Sequence, residues 1–501
     1  MILPKTKIAL LNSPYLLNEP FYQHMPPLAL LYLASYMEQC NFDPMIFNIE
    51  SCVNDNGIYI WNYDIKVLFA QLRTFDPDVI AITCPYSGRW PFTQRLLHII
   101  KNNFENVIII LGGIHPTSFP EYCLRSSAAD FIVLGEGELS SVELINHIFT
   151  DKNYSDIDGI AYKNNSDVIV NPKTIFIDDL DSLPFPAYHL IDIKRYEHLC
   201  RNDRMSQIKG FYFWLLTSRS CPNQCTYCNM FLSHGRKWRP RSPDNVLKEI
   251  EYLVSSYNIR QFAIIDDNFT LQRDRAEQIL EGIINRKLNI SFTTPNGLSA
   301  KTLDDNLIKL LKQAGALGIS LAIESGSEYM RNEIYNKRLS SEQIINSIDL
   351  CKKHKLPVHA FFMVGAPQET EETINSSICM MKRIKIPSHI NIATPYKGTE
   401  FYDYYIQNDI ISDEIISHGT TIDLRVPPEN IKNYKQILRW RSKLQFFNIL
   451  YALKAIITDK TFLNFNTFVR FIKGIILPKK INYMSYNNIL DKYLPLNYHG
   501  K

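Results

Sequence analysis

Ser220-Cys221-Pro222-Asn223-Gln224-Cys225-Thr226-Tyr227-Cys228-Asn229-Met230 is the stretch on which the fold of this chain turns. Three of the ten cysteines fall within eight residues, with three and then two residues between them. With about 0.02 cysteines per position and about 500 starting points, this spacing arises by chance roughly 0.004 times, so it calls for a chemical reason. Three thiolates on one loop suit a [4Fe-4S] cluster, because they hold three irons and leave the fourth open to a substrate or cofactor. A structural zinc instead takes four tetrahedral protein ligands, and the alternative here is a zinc knuckle closed by His234 or a distant histidine. Crowding of this kind is a metal-site pattern rather than a disulfide framework, and it implies a reducing compartment. Cys84 and Cys351 read as structural thiols.

Working outward, the cysteines follow the first of six β-rich runs, at 213–217, 262–265, 291–294, 318–323, 358–364 and 389–393, separated by helical patterns. Six strand-helix units in about 200 residues suit a partial (β/α)6 barrel. An earlier series has runs at 8–11, 45–48, 79–83, 107–111 and 131–134 with amphipathic stretches such as 28–40 and 91–103. That series predicts an α/β, doubly wound, Rossmann-like parallel sheet. Ligands of such sheets sit beyond the carboxyl ends of the strands, which here carry Asn12-Ser-Pro-Tyr15, Thr83-Cys-Pro-Tyr-Ser87, Gly112-Gly-Ile-His-Pro-Thr117 and Gly135-Glu-Gly-Glu138. Between the two series, residues 149–205 lack the rhythm, and the two prolines of Asp178-Asp-Leu-Asp-Ser-Leu-Pro-Phe-Pro-Ala-Tyr188 mark an extended connector. The final 90 residues read as helices, with 434–457 the clearest.

A chain of 501 residues with 46% hydrophobic and 21% charged residues excludes intrinsic disorder and fibrous repeats. No apolar run reaches the roughly 18 residues that span a bilayer, so a soluble cytoplasmic protein is expected. Residues 431–501 hold 13 Lys+Arg against Asp459 and Asp491, a net +11 that leaves −8 for residues 1–430. A basic end of this kind is ordinarily a solvated face on packed helices, and contact with an anionic membrane surface is the lesser alternative. No nucleic-acid partner is expected.

The cysteine stretch resembles the motif of the radical S-adenosylmethionine (SAM) superfamily, in which an aromatic such as Tyr227 often precedes the last cysteine. The resemblance implies a [4Fe-4S] cluster on Cys221, Cys225 and Cys228. The amino and carboxylate groups of SAM would bind its open iron, and one electron would cleave SAM to a 5′-deoxyadenosyl radical. It further implies SAM contacts in three places. Asp266 and Asp267 end the second barrel strand and would receive the SAM ammonium. Glu324 and Ser325 end the fourth and would meet the ribose hydroxyls and the carboxylate. Gly365 ends the fifth and would let the adenine lie on bare backbone. Taken singly, these residues also suit helix caps, surface acids or a turn.

Both halves together narrow the resemblance. Pro26-Pro-Leu-Ala-Leu-Leu-Tyr-Leu-Ala-Ser35, the Gly112, Gly135 and Asp179 segments, Arg239-Pro-Arg-Ser-Pro243, Asn296-Gly-Leu298 and Pro395-Tyr-Lys-Gly-Thr-Glu400 form an ordered series over residues 1 to about 410. The series is similar to the cobalamin-binding radical SAM proteins, often called class B methylases. The organisation implied is a cobalamin-binding domain at 1–148, a linker at 149–205, a radical SAM domain at 206–410 and a helical C-terminal region at 411–501.

Thr83 stands in place of the serine of a cobalamin-binding Ser-x-Leu element, before Gly112-Gly113, and these would admit the dimethylbenzimidazole tail. His115 and Thr117 would contact corrin side chains or phosphate, and Gly135 and Glu136 would complete the site. The Asp-x-His-x-x-Gly element is absent; its histidine would fall near Pro27, and the offset of His24 is wrong. That departure matches the class B group and leaves Tyr15, Tyr86 or the 114–117 loop as groups near the lower cobalt face.

The function implied is methylation of an unactivated carbon of a small-molecule substrate, with two SAM molecules consumed per turnover. An electron donor such as flavodoxin or ferredoxin would supply the electron. A non-methylating oxidase, cyclase or rearrangement enzyme of the same architecture is the second reading. A noncatalytic iron-sulfur or cobalamin carrier is the third.

Overall fold

The computed structural model describes residues 5–17, 25–47, 51–55, 58–196, 212–411, 434–458, 490–492, 494–496 and 498. Its first sheet has seven strands: β1 (Lys7–Asn12), β3 (Asp43–Phe47), β6 (Val79–Thr83), β7 (Ile108–Gly112), β8 (Phe131–Val133), β9 (Ile160–Asn164) and β10 (Asp167–Asn171). The order is β10-β9-β8-β7-β6-β1-β3, parallel from β3 to β8. Order reverses between β1 and β6, the switch point at which doubly wound sheets take their ligands.

Alternation along the strands explains the two layers. Ile8, Leu10, Val79, Ala81 and Ile110 pack with Leu31 and Leu144, from helices Leu28–Gln39 and Glu138–Ile148. Their neighbours Ala9, Leu11, Ile80, Ile82, Ile109 and Leu111 pack the other way, against Leu72 and Leu97 of helices Ile65–Phe75 and Trp90–Asn103. Burial on both faces is why these strands are nearly unbroken apolar runs. A separate antiparallel trio, β2 (Tyr15–Leu17), β4 (Ser51–Asp55) and β5 (Ile58–Asn62), adjoins β1 in sequence. The sheet continues beyond residue 148: the antiparallel hairpin β9-β10 adds its last two strands from a stretch read above as linker.

The second sheet is wholly parallel and in chain order. It comprises β11 (Phe213–Leu215), β14 (Gln261–Ile264), β15 (Ser291–Leu298), β16 (Ala316–Glu324), β17 (Val358–Val364) and β18 (Ser388–Ile392). Helices between the strands cover it, which makes the partial (β/α)6 barrel expected from the spacing. Their starts carry local caps: Ser242, Asp304, Ser340 and Thr370 each accept a backbone N–H of the first turn. Helix Tyr434–Thr458 packs its buried Ile437, Trp440 and Leu444 on the barrel, and Asn448 accepts the Ser388 N–H of edge strand β18 at 2.8 Å. Among the described residues no helix is long and apolar enough to cross a membrane. Most of the basic C-terminal region lies outside the described residues. Of its end, the Leu494 and Tyr498 carbonyls accept from Arg95 and Asn103 on the first domain, at 2.5 and 2.8 Å.

The domains meet through buried charge. A short ribbon of β12 (Ser218–Arg219) and β13 (Arg239–Pro240) presents Arg219 and Arg239 to the first sheet. Arg239 donates to both oxygens of Glu136 at 2.9 and 2.5 Å, and Arg219 donates to Glu138 at 2.6 Å. All four side chains are almost wholly buried.

Candidate functional site

The cluster loop leaves the β12 end with Ser220 at φ 72°, and its Oγ donates to the Gly235 carbonyl at 2.6 Å. The far side is pinned by Thr226, which donates through its hydroxyl to Ile334 O at 2.6 Å and through its N–H to Tyr335 O at 3.4 Å. Cys221, Cys225 and Cys228 are free, half-buried thiols. Burial raises all three, the Cys228 thiol to about 11, and Cys225 raises Cys221 and Cys228 further. Thiolates facing one another in this way are the donor set that a cationic iron centre relieves. No three described His, Cys, Asp or Glu side chains converge as a single-ion site requires. His234 is engaged through Nδ1 with Glu136 at 3.2 Å. The three-thiolate cluster therefore fits this loop better than a zinc knuckle does.

Beside the thiols the structure gathers Tyr227, Asp267 and Glu324 from the expected set. Asp267 acts on Cys221 and Cys228, and Glu324 acts on Cys225. Glu324 sits at a bulge with φ 67°, a conformation that costs a non-glycine residue about 1–3 kcal/mol. Its carboxylate accepts from Lys337 Nζ at 2.8 Å and Tyr227 Oη at 3.2 Å. The sequence reading did not include Lys337 or Asn268. Asn268 Nδ2 lies 3.8 Å from Cys221 Sγ, and its buried Oδ1 has no partner in the structure. An orphaned buried acceptor beside Cys221 would fit the ammonium of SAM.

Asp266, Ser325 and Gly365 stand differently from the expectation. Asp266 turns back into the barrel, accepting from Thr217 N, Thr217 Oγ1 and Ser218 Oγ at 2.5–2.6 Å, and burial pushes its carboxyl up. Ser325 is fully buried, with its hydroxyl 3.2 Å from Ser377 Oγ and accepting from Ser327 N. Gly365 has φ 88°, and a Cβ there would meet the Ile437 side chain of the C-terminal helix at 3.0 Å. Its N–H donates to Glu369 and its carbonyl accepts from Tyr405. Burial pushes the Glu369 carboxyl up to about 7, and its Oε1 is unpartnered.

On the cobalamin side, Thr83 and Gly112 are paired at the carboxyl ends of β6 and β7. Thr117 ties the loops together, donating to Gly113 O at 2.8 Å and accepting from Gly135 N at 3.0 Å. Gly135, at φ 63°, admits the cluster-loop carbonyls of Leu232 and Ser233 to within 3.2 Å of a Cβ position. Two of the expected residues have partners within the protein. His115 is buried between Trp90 and Phe119, with Nδ1 2.8 Å from Ser87 Oγ; burial lowers it to about 3, so it brings no positive charge to a phosphate. Glu136 belongs to the domain junction, where it accepts from Arg239 and Ile177 N. His24 lies outside the described residues. A cation that the sequence reading passed over, Arg89, occupies the switch point, donating to Asn12 Oδ1 at 2.9 Å and stacking 4.0 Å over Tyr15. Buried Ser13 Oγ and His115 Nε2 lack partners at this end of the sheet, a pattern that fits a polar ligand such as cobalamin.

Gly113 separates fold from ligand. At φ 105°, its Cβ would lie 2.6 Å from Cys84 O, whereas the nearest atom to a Gly112 Cβ is 3.7 Å away. Gly113→Ala is expected to destabilise cobalamin-free protein by about 1–3 kcal/mol in denaturant titration. Gly112→Ala is expected to leave that stability unchanged, so its copurified cobalamin reports the ligand site itself.

A cleft joins the two halves, lined by Tyr86, Ser87, Ile114 and Phe119 from the sheet and by Asn229, Tyr396 and Lys397 from the barrel. Asn229 follows the last cluster cysteine directly. The Tyr396 hydroxyl is raised by burial and feels both Tyr86 and Cys228.

Comparison with known proteins agrees with this geometry. The B12 binding domain matches residues 16–145 and the radical SAM superfamily matches residues 215–378. A Pyrococcus horikoshii protein named an uncharacterized methyltransferase is 31% identical over 401 residues, 79% of this chain and 82% of its own. The anaerobic magnesium-protoporphyrin IX monomethyl ester cyclase of Rubrivivax gelatinosus is 27% identical over 441 residues, 84% of this chain and 75% of its own. In fold, the chain is similar to the radical SAM methyltransferase TsrM of Kitasatospora setae, solved with cobalamin and a [4Fe-4S] cluster. The TM-score is 0.65 at 15% identity, covering 81% of this chain and 75% of the other. With its cobalamin sheet and three-cysteine barrel facing each other across one cleft, this chain belongs to the cobalamin-binding radical SAM enzymes.

Proposed function

We propose that this enzyme methylates an unactivated carbon of a small-molecule or natural-product intermediate in the cytoplasm, drawing its electron from a flavodoxin or ferredoxin. The observation that carries the reading is the cleft in which Tyr86 and Phe119 of the cobalamin sheet face Asn229 and Tyr396 of the cluster barrel. When bound, the cluster and SAM supply a carbon radical and cobalamin supplies a methyl group. The chain's own part is placement. Cys221, Cys225 and Cys228 would hold the cluster, Asp267 and Asn268 would receive the SAM ammonium, and the Glu324–Lys337 pair would face the ribose and carboxylate. Thr83, Gly112 and Thr117 would border the cobalamin.

Anaerobic reconstitution with iron, sulfide, cobalamin and dithionite tests the reading through the fate of SAM. Methylation requires both 5′-deoxyadenosine and S-adenosylhomocysteine. The cyclase relative favours one alternative, oxidation or cyclisation without methyl transfer. That outcome would give 5′-deoxyadenosine alone, and neither product would leave only a carrier.

A further inference from the structure

We propose that the surface around residues 222–224 is the docking face for an acidic one-electron carrier protein, an inference that rests on the radical reading above. Pro222, Asn223 and Gln224 are exposed between two cluster cysteines, so the thiolate ligands approach solvent here. The segment 334–338 brackets this loop: Asn336 Nδ2 donates to Gln224 O at 3.0 Å, next to the Thr226 contact with Ile334. Lys337 and Arg338 are thereby held beside the cysteines. From the far end of β15, Lys301 donates to Lys337 O at 3.0 Å and brings a third cation. Lys337 is spent on Glu324, but the Lys301 and Arg338 side chains are exposed.

Neighbouring acids do little to cancel this charge. Asp304 is paired with Arg273, and Asp305 accepts from Lys353 and His354. Glu333 is the exposed acid that remains on the 330–338 segment. The patch is local: the whole chain is net +3, so its charge as a whole does little to orient a partner. On a chain of nearly balanced charge, a local cationic patch beside the ligands steers the redox edge of an acidic carrier to this face. The step balances as a single electron: the reduced carrier loses one, the cluster gains one, and no proton need move.

The test uses the reconstituted holoenzyme and reduced flavodoxin, following cluster reduction by stopped flow as salt is raised. Native protein should be reduced fast at low salt and progressively slower as salt screens the encounter. Lys301→Glu/Arg338→Glu should lower the low-salt rate by about tenfold or more and flatten its salt dependence, while SAM cleavage driven by dithionite is retained. Lys301→Gln/Arg338→Gln should fall between, and Lys248→Glu, a charge reversal on a barrel helix, should match native protein. Equal flavodoxin rates in the native and doubly reversed proteins, or an equal loss in Lys248→Glu, would overturn the docking face. Native protein that fails to cleave SAM even with dithionite would instead remove the radical reading on which the face depends.

Discussion

A Cys225→Ala protein, reconstituted anaerobically, is expected to lack the broad visible absorbance of thiolate-bound iron and to cleave SAM more than about 100-fold more slowly than the native enzyme. The loop offers no replacement. Its donor set is three thiols; of the neighbouring ligand types His234 is held by Glu136 and Glu324 by Lys337 and Tyr227, while Asp267 lies toward Cys221 and Cys228 rather than Cys225. Loss of one thiolate leaves two irons held where three are needed, and an incomplete cluster has no site-differentiated iron to hold SAM. Cys84→Ala and Cys351→Ala are the controls. Both thiols are fully buried in the apolar clusters, where burial pushes each up to about 12, so neither is a thiolate at working pH. They should keep full iron content. Iron and sulfide analysis with SAM-product quantification decides it, and an iron-replete, active Cys225→Ala protein would remove the cluster from this loop.

The elements that were legible in the sequence are those whose burial is uniform along the chain. Strands β6 and β7 are buried on both faces, so Val79-Ile-Ala-Ile-Thr83 and Ile108-Ile-Ile-Leu-Gly112 announce themselves as β-branched runs. Hairpin β9-β10 does not, since Asp167-Val-Ile-Val-Asn171 is short, polar-ended and only half-buried. At the site, cysteine spacing is legible because all three ligands share one loop. Asp266 and Asp267 show what spacing leaves open: neighbours at a strand end point to opposite sides, and only the packing shows that Asp266 turns inward to Thr217. Lys337 was hidden for a related reason. It reaches Glu324 only after a β-bulge, a left-handed backbone and a π-helical turn at Met330–Ile334, and none of these leaves a periodic trace. Gly113 and Gly365 suggest room for a ligand, yet each glycine is required by its own positive φ and a close neighbour within the protein. A glycine motif in the sequence cannot distinguish those two demands.

Arg239→Ala is expected to destabilise the protein by about 3–5 kcal/mol, the cost of leaving one member of a buried ion pair without its partner. Arg239 also donates to Ile177 O at 2.6 Å and His234 O at 2.7 Å, so its removal strands two carbonyls besides the Glu136 carboxylate. Burial alone would raise the Glu136 carboxyl, but His234, Arg239 and Arg219 together hold it well below the usual carboxylate range. A depressed carboxylate contributes stability that is present above its unfolded value and lost as pH falls through its folded value. Without Arg239 the folded value rises, so the acid limb of the stability profile should move to higher pH as well as lower stability. The double variant Glu136→Gln/Arg239→Met should recover much of the loss and flatten that limb, because no charge is then left buried alone. Denaturant titration between acidic and neutral pH measures both effects. The consequence for chemistry is separable from folding: this junction aligns the sheet with the cluster loop, so a variant still folded under assay conditions should keep its iron and its bound cobalamin. It should lose S-adenosylhomocysteine formation relative to 5′-deoxyadenosine, because the two cofactor ends no longer face each other across a fixed cleft. An unchanged product ratio in such a variant would mean that the Glu136–Arg239 pair contributes to stability alone.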